Sequence, residues 1–219
     1  NRILVKESSF GKVKRGILAI QESIGIGRVS TVTTVTRGLL ENPKDIITAH
    51  KQLGLNDLFV RPISPYGFAN TFHRTEYSFD EYMAFYDEFF QEIIKENLGG
   101  IPLVEHTARI HLKRVFDPNF NGYADLKSPS GVLLDCVMFN YDGRIFGSDE
   151  ARMLQRAIGD IDFSCSTIDA VNFKNNPLYE VILRDSVNSI QPGCEQCAYQ
   201  PFCGSDPCQS ISEQGEPVG

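Results

Sequence analysis

Between Val29 and Phe116 the chain alternates short β-branched or apolar runs with stretches of helical period, and this alternation limits the fold more than any other feature. Val29 to Thr36 (Val-Ser-Thr-Val-Thr-Thr-Val-Thr) is almost wholly β-branched, which suits a pleated strand. Asn42-Pro43 then offers a cap and a first helical position, and Ile46, Ile47 and Leu53 give residues 43–53 an apolar face that Gly54 ends. Leu58 to Ile63 is the next strand, stopped by Pro62. A long helix follows over 79–97, with Tyr82, Phe85, Tyr86, Phe89, Phe90 and Ile93 at three- and four-residue steps. Gly99-Gly100 closes it, Ile101 to Glu105 forms a third strand, and residues 106–116 form another helix. An amphipathic helix over 8–24, carrying Phe10, Val13, Ile17 and Ile20 behind Ser8 and Ser9, precedes the series.

Strands that alternate with helices make a parallel sheet through crossover connections, so residues 1–116 belong to the α/β class. Three strands with their helices are about half of an eight-fold barrel, which typically takes about 250 residues. Past Phe116 the texture changes to turn chemistry: Asp117-Pro118-Asn119, Asn121-Gly122 and Ser128-Pro129-Ser130-Gly131. A second domain is expected over 117–209. It opens with a hairpin from Gly131 through Phe139, a turn at Asn140-Tyr141-Asp142-Gly143, and a return over Arg144-Ile145-Phe146. A helix is expected from Asp149 to Ala157, then cysteine-rich loop, then a disordered polar tail over 210–219.

Four of the six cysteines crowd between Cys194 and Cys208, while Cys136 and Cys165 stand alone. A disulfide framework would spread its cysteines through a small secreted domain, whereas Cys194, Cys197, Cys203 and Cys208 read as thiolate metal ligands. Gly193, Gly204 and Pro207 permit the tight turns between them. Spacing alone leaves tetrahedral zinc and an iron–sulfur cluster both open. Cys136, beside Leu133, Leu134 and Val137, reads as a small buried thiol.

The formal charge of −7 and the lack of a Lys/Arg-rich run argue against nucleic acid or an anionic membrane surface as partner. No apolar stretch approaches the roughly 20 residues of a membrane span, and the N-terminus lacks a signal-peptide layout, so a cytoplasmic location is the expectation. Asn1 in place of Met suggests a piece of something longer. No P-loop or nucleophile elbow occurs, and Gly25-Ile26-Gly27 precedes a strand where a dinucleotide fingerprint would follow one. His106 and His111, five apart, do not share a helical face as metal ligands would. The acidic series Glu76, Asp80, Glu81, Asp87, Glu88 and Glu92 reads as a solvated helix face.

Several of these segments together resemble radical S-adenosylmethionine (SAM) peptide maturases: Thr36-Arg37 at a strand end, Phe59 to Gly67 (Phe-Val-Arg-Pro-Ile-Ser-Pro-Tyr-Gly), Phe139 to Phe146 running into Ser148 to Leu154, and the terminal Cys-x2-Cys-x5-Cys. More narrowly, the whole chain resembles the His-Xaa-Ser system maturase, which has a SPASM-type C-terminal domain. The resemblance implies that 1–116 is the C-terminal half of a partial (β/α) barrel and that the rest holds an auxiliary 4Fe-4S cluster. It implies a peptide or small-protein substrate, with His-Xaa-Ser repeats in the partner, and an external electron donor. The Cys-x3-Cys-x2-Cys loop of the superfamily, which binds the catalytic cluster and SAM, is absent from this sequence, so the fragment alone is expected to lack activity.

Two further departures matter. SPASM domains with two auxiliary clusters carry Gly-x4-Cys, and counting from Gly143 that position is Ser148, which implies one cluster. Cys208 falls one residue later than the usual Cys-x3-Cys, so the fourth ligand lies between Cys208, favoured by proximity, and Cys165. Ligands collect at the C-terminal strand ends of a parallel barrel. Thr36, Arg37, Arg61, Ser64 and Glu105 occupy such ends, and Arg37 or Arg61 could hold the SAM carboxylate by a bidentate contact or pair with an acidic side chain instead. The rival reading is a non-catalytic α/β binding module braced by structural zinc.

Overall fold

A computed structural model describes residues 3–4, 7–63, 77–117, 132–133, 136–158, 162–172, 177–204 and 207–214. The chain divides into two compact units, the division falling between Arg109 and Ile110.

The first unit opens with a small antiparallel pair, β1 (Ile3–Leu4) and β2 (Glu7–Ser8). Helix α1 (Phe10–Ile24) follows and ends at Gly25, whose φ of 97° is open to glycine. Its inner side is held by Ile17, which packs with Leu53 and Leu55, and by the buried Gln21, whose Nε2 donates to the Leu53 carbonyl at 2.9 Å. Strands β3 (Thr31–Thr34), β4 (Asp57–Arg61) and β5 (Val104–Glu105) form a parallel sheet in that order, with Thr34 opposite Arg61 and Leu58 opposite Glu105. Between them run α2 (Arg37–Leu40), α3 (Pro43–Gln52) and α4 (Phe79–Leu98).

The parallel α/β arrangement agrees with the sequence reading, and α1, β3, α3, β4, α4 and β5 follow in the expected order; the β1–β2 pair and α2 are additional. The strands are shorter: β3 covers 31–34 of the expected 29–36, and beyond it the Val35 amide still donates to the Arg61 carbonyl at 2.9 Å before Thr36 becomes the N-cap of α2.

Helix α4 begins with a capping box: Ser78 accepts from the Glu81 amide at 3.1 Å, and Glu81 accepts from the Ser78 amide at 2.7 Å. Its aromatic face is buried, with Phe89 fully enclosed and Tyr82, Phe85 and Ile93 nearly so, against Val35, Leu58, Val60, Ile46 and Ile47. Burying side chains of this size contributes on the order of 1.5–3 kcal/mol each, which makes this seam the main stabiliser of the unit. The acidic side of α4 is solvated as the sequence suggests, with Asp80, Glu81, Asp87 and Glu88 exposed and Glu92 half-buried, while Glu76 lies outside the described residues. Glu81 pairs with Arg37, Glu92 with Lys44 at 3.1 Å, and Glu96 with Lys51 at 2.8 Å.

Helix α5 (His106–Phe116) starts directly from β5. In the second unit, β6 (Met138–Phe139), β7 (Arg144–Phe146) and β8 (Ser164–Thr167) make an antiparallel sheet. The predicted turn is present: the Gly143 amide donates to the Asn140 carbonyl at 3.1 Å, and Gly143 has a φ of 84°. Its first strand is shorter than expected, since Leu133 turns out of line at a φ of 63°.

Helix α6 (Asp149–Ile158) lies where a helix was expected, and α7 (Pro177–Asp185) and α8 (Pro207–Gln214) are additional. Helix α8 carries order past Ser210 to Gln214, where the sequence reading has a disordered tail, because Ile211 and Cys208 insert into the core of this unit. That core comprises Val132, Phe146, Ala151, Leu154, Phe163, Ile182, Cys208 and Ile211. Among the described residues no helix is long and apolar enough to cross a membrane.

Candidate functional site

The C-terminal ends of β3, β4 and β5 bring polar groups together in the first unit. Tyr77 ties two of these ends: its hydroxyl donates to the Val35 carbonyl at 2.8 Å and accepts from the Ile63 amide at 2.7 Å. Tyr77 stacks on Tyr82, and Tyr82 on Tyr86, with ring centroids 6.2 Å apart in both pairs. Burial, reinforced by Tyr77 and Glu105, pushes the Tyr82 hydroxyl up to about 12, while Arg61 opposes the shift.

Glu105 is buried and fully engaged. Its oxygens accept from the amides of Thr107 and Ala108 at 3.1 and 2.7 Å and from the Tyr86 hydroxyl at 2.6 Å. A carboxylate at the first turn of α5 meets the positive end of the helix, so Glu105 works as a cap. Tyr86 is held well above the usual phenol range by burial and by that carboxylate.

The two arginines differ. Arg37 is bidentate to Glu81, at 3.1 and 3.3 Å, and the Glu81 carboxyl is held below its ordinary range by the Ser78 amide first and by Arg37 second. Arg61 is exposed, lies over the Phe59 ring at 5.7 Å, and has no carboxylate partner among the described residues. Ser64 lies outside the described residues. His106 sits 3.2 Å from Asp57 and beside Phe59, and His111 is exposed on α5.

The cysteine loop is built from successive tight turns. The Cys194 amide donates to the Gln191 carbonyl, the Cys197 amide to the Cys194 carbonyl and the Gln200 amide to the Cys197 carbonyl, each at 3.1 Å. Short 3-10 turns at Asn188–Ile190 and Gln200–Phe202 flank it, and Gly193 takes a φ of 81° just before Cys194. Arg114 on α5 donates to the Pro201 carbonyl at 3.3 Å, and its Nε is buried without a hydrogen-bond partner among the described residues.

Burial raises the Cys203 thiol first, Cys194 and Cys197 raise it further, and Arg114 works against them. Three sulfur donors in the order Cys-x2-Cys-x5-Cys are of the type that binds iron or zinc, so the donor set fits such a group by its chemistry. Among the described residues no three Cys, His, Asp or Glu side chains converge as ligands of a single ion.

Cys208 is placed in the apolar core, on the first turn of α8 and fully buried. Cys165 is buried on β8, its thiol 3.7 Å from the Phe163 carbonyl and pushed up to about 11 by burial. Cys136, expected to be buried, is exposed. Its position opposite Val132 in an isolated bridge, just outside β6, turns it from the core. Ser148 is buried as the cap of α6, accepting from the Ala151 amide at 3.1 Å.

Sequence reasoning passed over Asn188, Gln191, Tyr77 and Arg114. Asn188 and Gln191 had one available signal: polar amides in a loop that follows an amphipathic stretch and leads straight into Cys-x2-Cys.

No family model and no curated protein matches the sequence. Solved structures do. Native anSMEcpe with bound AdoMet superposes with a TM-score of 0.70 at 13% identity, covering 97% of this chain and 56% of that one. The fold is that of part of anSMEcpe. Two anSMEcpe structures with bound AdoMet and a peptide, Kp18Cys or Cp18Cys, match with TM-scores of 0.68 and 0.70 at the same identity and coverage. This chain therefore spans 56% of the length of anSMEcpe, and at 13% identity the likeness is one of fold.

Proposed function

We propose that this chain is the C-terminal portion of a radical SAM enzyme that modifies a peptide or small protein after translation, inside the cell. What supports the reading is the Cys194-x2-Cys197-x5-Cys203 spacing on a loop of successive tight turns, within a fold shared with part of anSMEcpe over 97% of the chain. In this reading those three cysteines bind an auxiliary 4Fe-4S cluster, with Cys208, near them in sequence though packed in the core of this structure, the fourth ligand and Cys165 its alternative. The cluster, when bound, supplies a one-electron acceptor beside the substrate.

The chain's own residues orient the reactants. Arg61, exposed at the end of β4 and resting on Phe59, has a planar guanidinium suited to a bidentate grip on the SAM carboxylate. Arg37 would first have to release Glu81, so Arg61 is the preferred partner, with Ser64 beside it in sequence. Peptides occupy two of the anSMEcpe structures, which supports a peptide substrate. The narrower resemblance makes that substrate the His-Xaa-Ser-rich partner of the same system, served by an external electron donor.

Anaerobic purification or reconstitution of the chain with iron and sulfide tests the reading. Iron, acid-labile sulfide and a brown, reducible chromophore lost in Cys203→Ser support it. Stoichiometric zinc in a colourless protein, or iron retained without Cys203, refutes it.

A further inference from the structure

Asparagine is mostly a surface residue, yet Asn188 is 2% exposed and spends its side chain on the cysteine loop. Its Nδ2 donates to the Cys203 carbonyl at 2.8 Å and to the Gln200 carbonyl at 3.2 Å, and its Oδ1 accepts from Gln200 Nε2 at 2.9 Å. The exchange between Asn188 and Gln200 is reciprocal, side chain to side chain and side chain to backbone. It fixes the last turn of the loop, from Gln200 to Cys203.

The other end of the loop starts from the same short stretch. Gln191, also buried, reaches Asp185 with its side chain at 3.4 Å, and its carbonyl receives the amides of Cys194 and Glu195 at 3.1 and 3.3 Å. Residues 188–191 therefore join the end of α7 to both the first and the third cysteine of the loop.

A ten-residue loop from Cys194 to Cys203 would be free to spread if its ends were unrestrained. Holding the ends from a buried amide places the entropy cost of closing the loop in the fold, before any metal arrives. We propose that Asn188, through Gln200 and with Gln191 at the opposite end, is a positioning residue that holds the two ends of the cysteine loop, at Cys194 and Cys203, in the metal-free protein. The proposal rests on the reading of this loop as a cluster site. Groups around a metal site that orient its ligands typically change metal affinity by about 10–100-fold when removed.

Two measurements on the 219-residue chain separate the clamp from the cluster. In metal-free protein carrying Cys197→Ser, which leaves Cys194 and Cys203 as the thiols of the loop, a trivalent arsenical that bridges paired thiols is followed by mass spectrometry. In protein reconstituted with iron and sulfide, release of iron to a chelator and the electron paramagnetic resonance spectrum of the reduced cluster are recorded. Asn188→Ala is expected to keep the wild-type far-UV circular dichroism, to lose arsenical bridging in the Cys197→Ser background, to release iron about 10–100-fold faster and to broaden the spectrum.

Unchanged bridging, release and spectrum in Asn188→Ala overturn the proposal, as does a Cys197→Ser protein that the arsenical does not bridge. Arsenical bridging in Cys197→Ser, with no iron and sulfide taken up by the wild type, refutes the cluster reading and leaves the clamp standing. If Asn188→Ala unfolds, Gln200→Ala decides, because it breaks the same exchange from the half-exposed side. Faster iron release there supports the clamp, and wild-type behaviour overturns it.

Discussion

Replacing a glycine by alanine has opposite consequences at two places in this chain, and the sign follows from what the added methyl meets. At Gly147, between β7 and the Ser148 cap, the new Cβ would lie 2.8 Å from Val132 Cγ1 and 2.9 Å from Leu133 Cγ. Normal carbon contacts are about 3.5–4.0 Å, so both neighbours must move by most of an ångström. Val132 is buried and β-branched, with one strongly preferred rotamer, and Leu133 already sits at a φ of 63°. Neither can yield freely, so Gly147→Ala is an overpacking substitution costing about 1–3 kcal/mol. At Gly16, in the exposed middle of α1, nothing lies within 4 Å of the new methyl. There the alanine removes unfolded-chain entropy and stabilises by about 0.5–1 kcal/mol. Urea unfolding followed by circular dichroism reads both as midpoint shifts at unchanged slope. A Gly147→Ala midpoint at or above that of the wild type would refute the packing of Val132 and Leu133 against this turn.

His50 is buried between Ile46 and Thr31, and burial holds its pKa below 6.5. The unfolded chain then binds the proton more readily, so this contribution is complete above about pH 6.5 and is lost as the pH falls; His50→Gln should flatten the decline in melting temperature from about pH 7 to about pH 5, and an unchanged decline would contradict the assignment. Iodoacetamide at roughly pH 8 should label the exposed Cys197 and spare Cys165, whose thiol is raised to about 11, as peptide mass mapping of the native protein would show. In reconstituted protein Cys208→Ala should lower bound iron; full iron with a reduced melting temperature would leave Cys208 as a core residue alone. Phe89→Ala should cost about 3–5 kcal/mol, since the ring is wholly enclosed between α4 and the sheet, and a loss under about 1 kcal/mol would contradict that core.

The first unit was legible because its signals were periodic. The aromatic steps of 79–97 and the Asn42-Pro43 start each anticipate a helix to within a residue or two, and β-branching marks β3. The second unit was less so. Ser164-Cys165-Ser166-Thr167 has neither bulk nor alternation, and becomes β8 only because β7 offers it a partner. Helix α7 carried a readable start at Pro177, overshadowed by the cysteines that follow. Cys194, Cys197 and Cys203 were visible from spacing. The exchange between Asn188 and Gln200 was not, since it depends on a contact between loop residues that no local pattern announces.

Ser148 sets the consequence of a thiol at this position. Its hydroxyl satisfies the amide of Ala151, a residue with no exposed surface. Cysteine would exchange a good acceptor for sulfur, a weak one, and strand a buried donor at a cost of about 1–3 kcal/mol. A metal ligand introduced here would thus lower stability first, and only the binding of a metal could offset that loss.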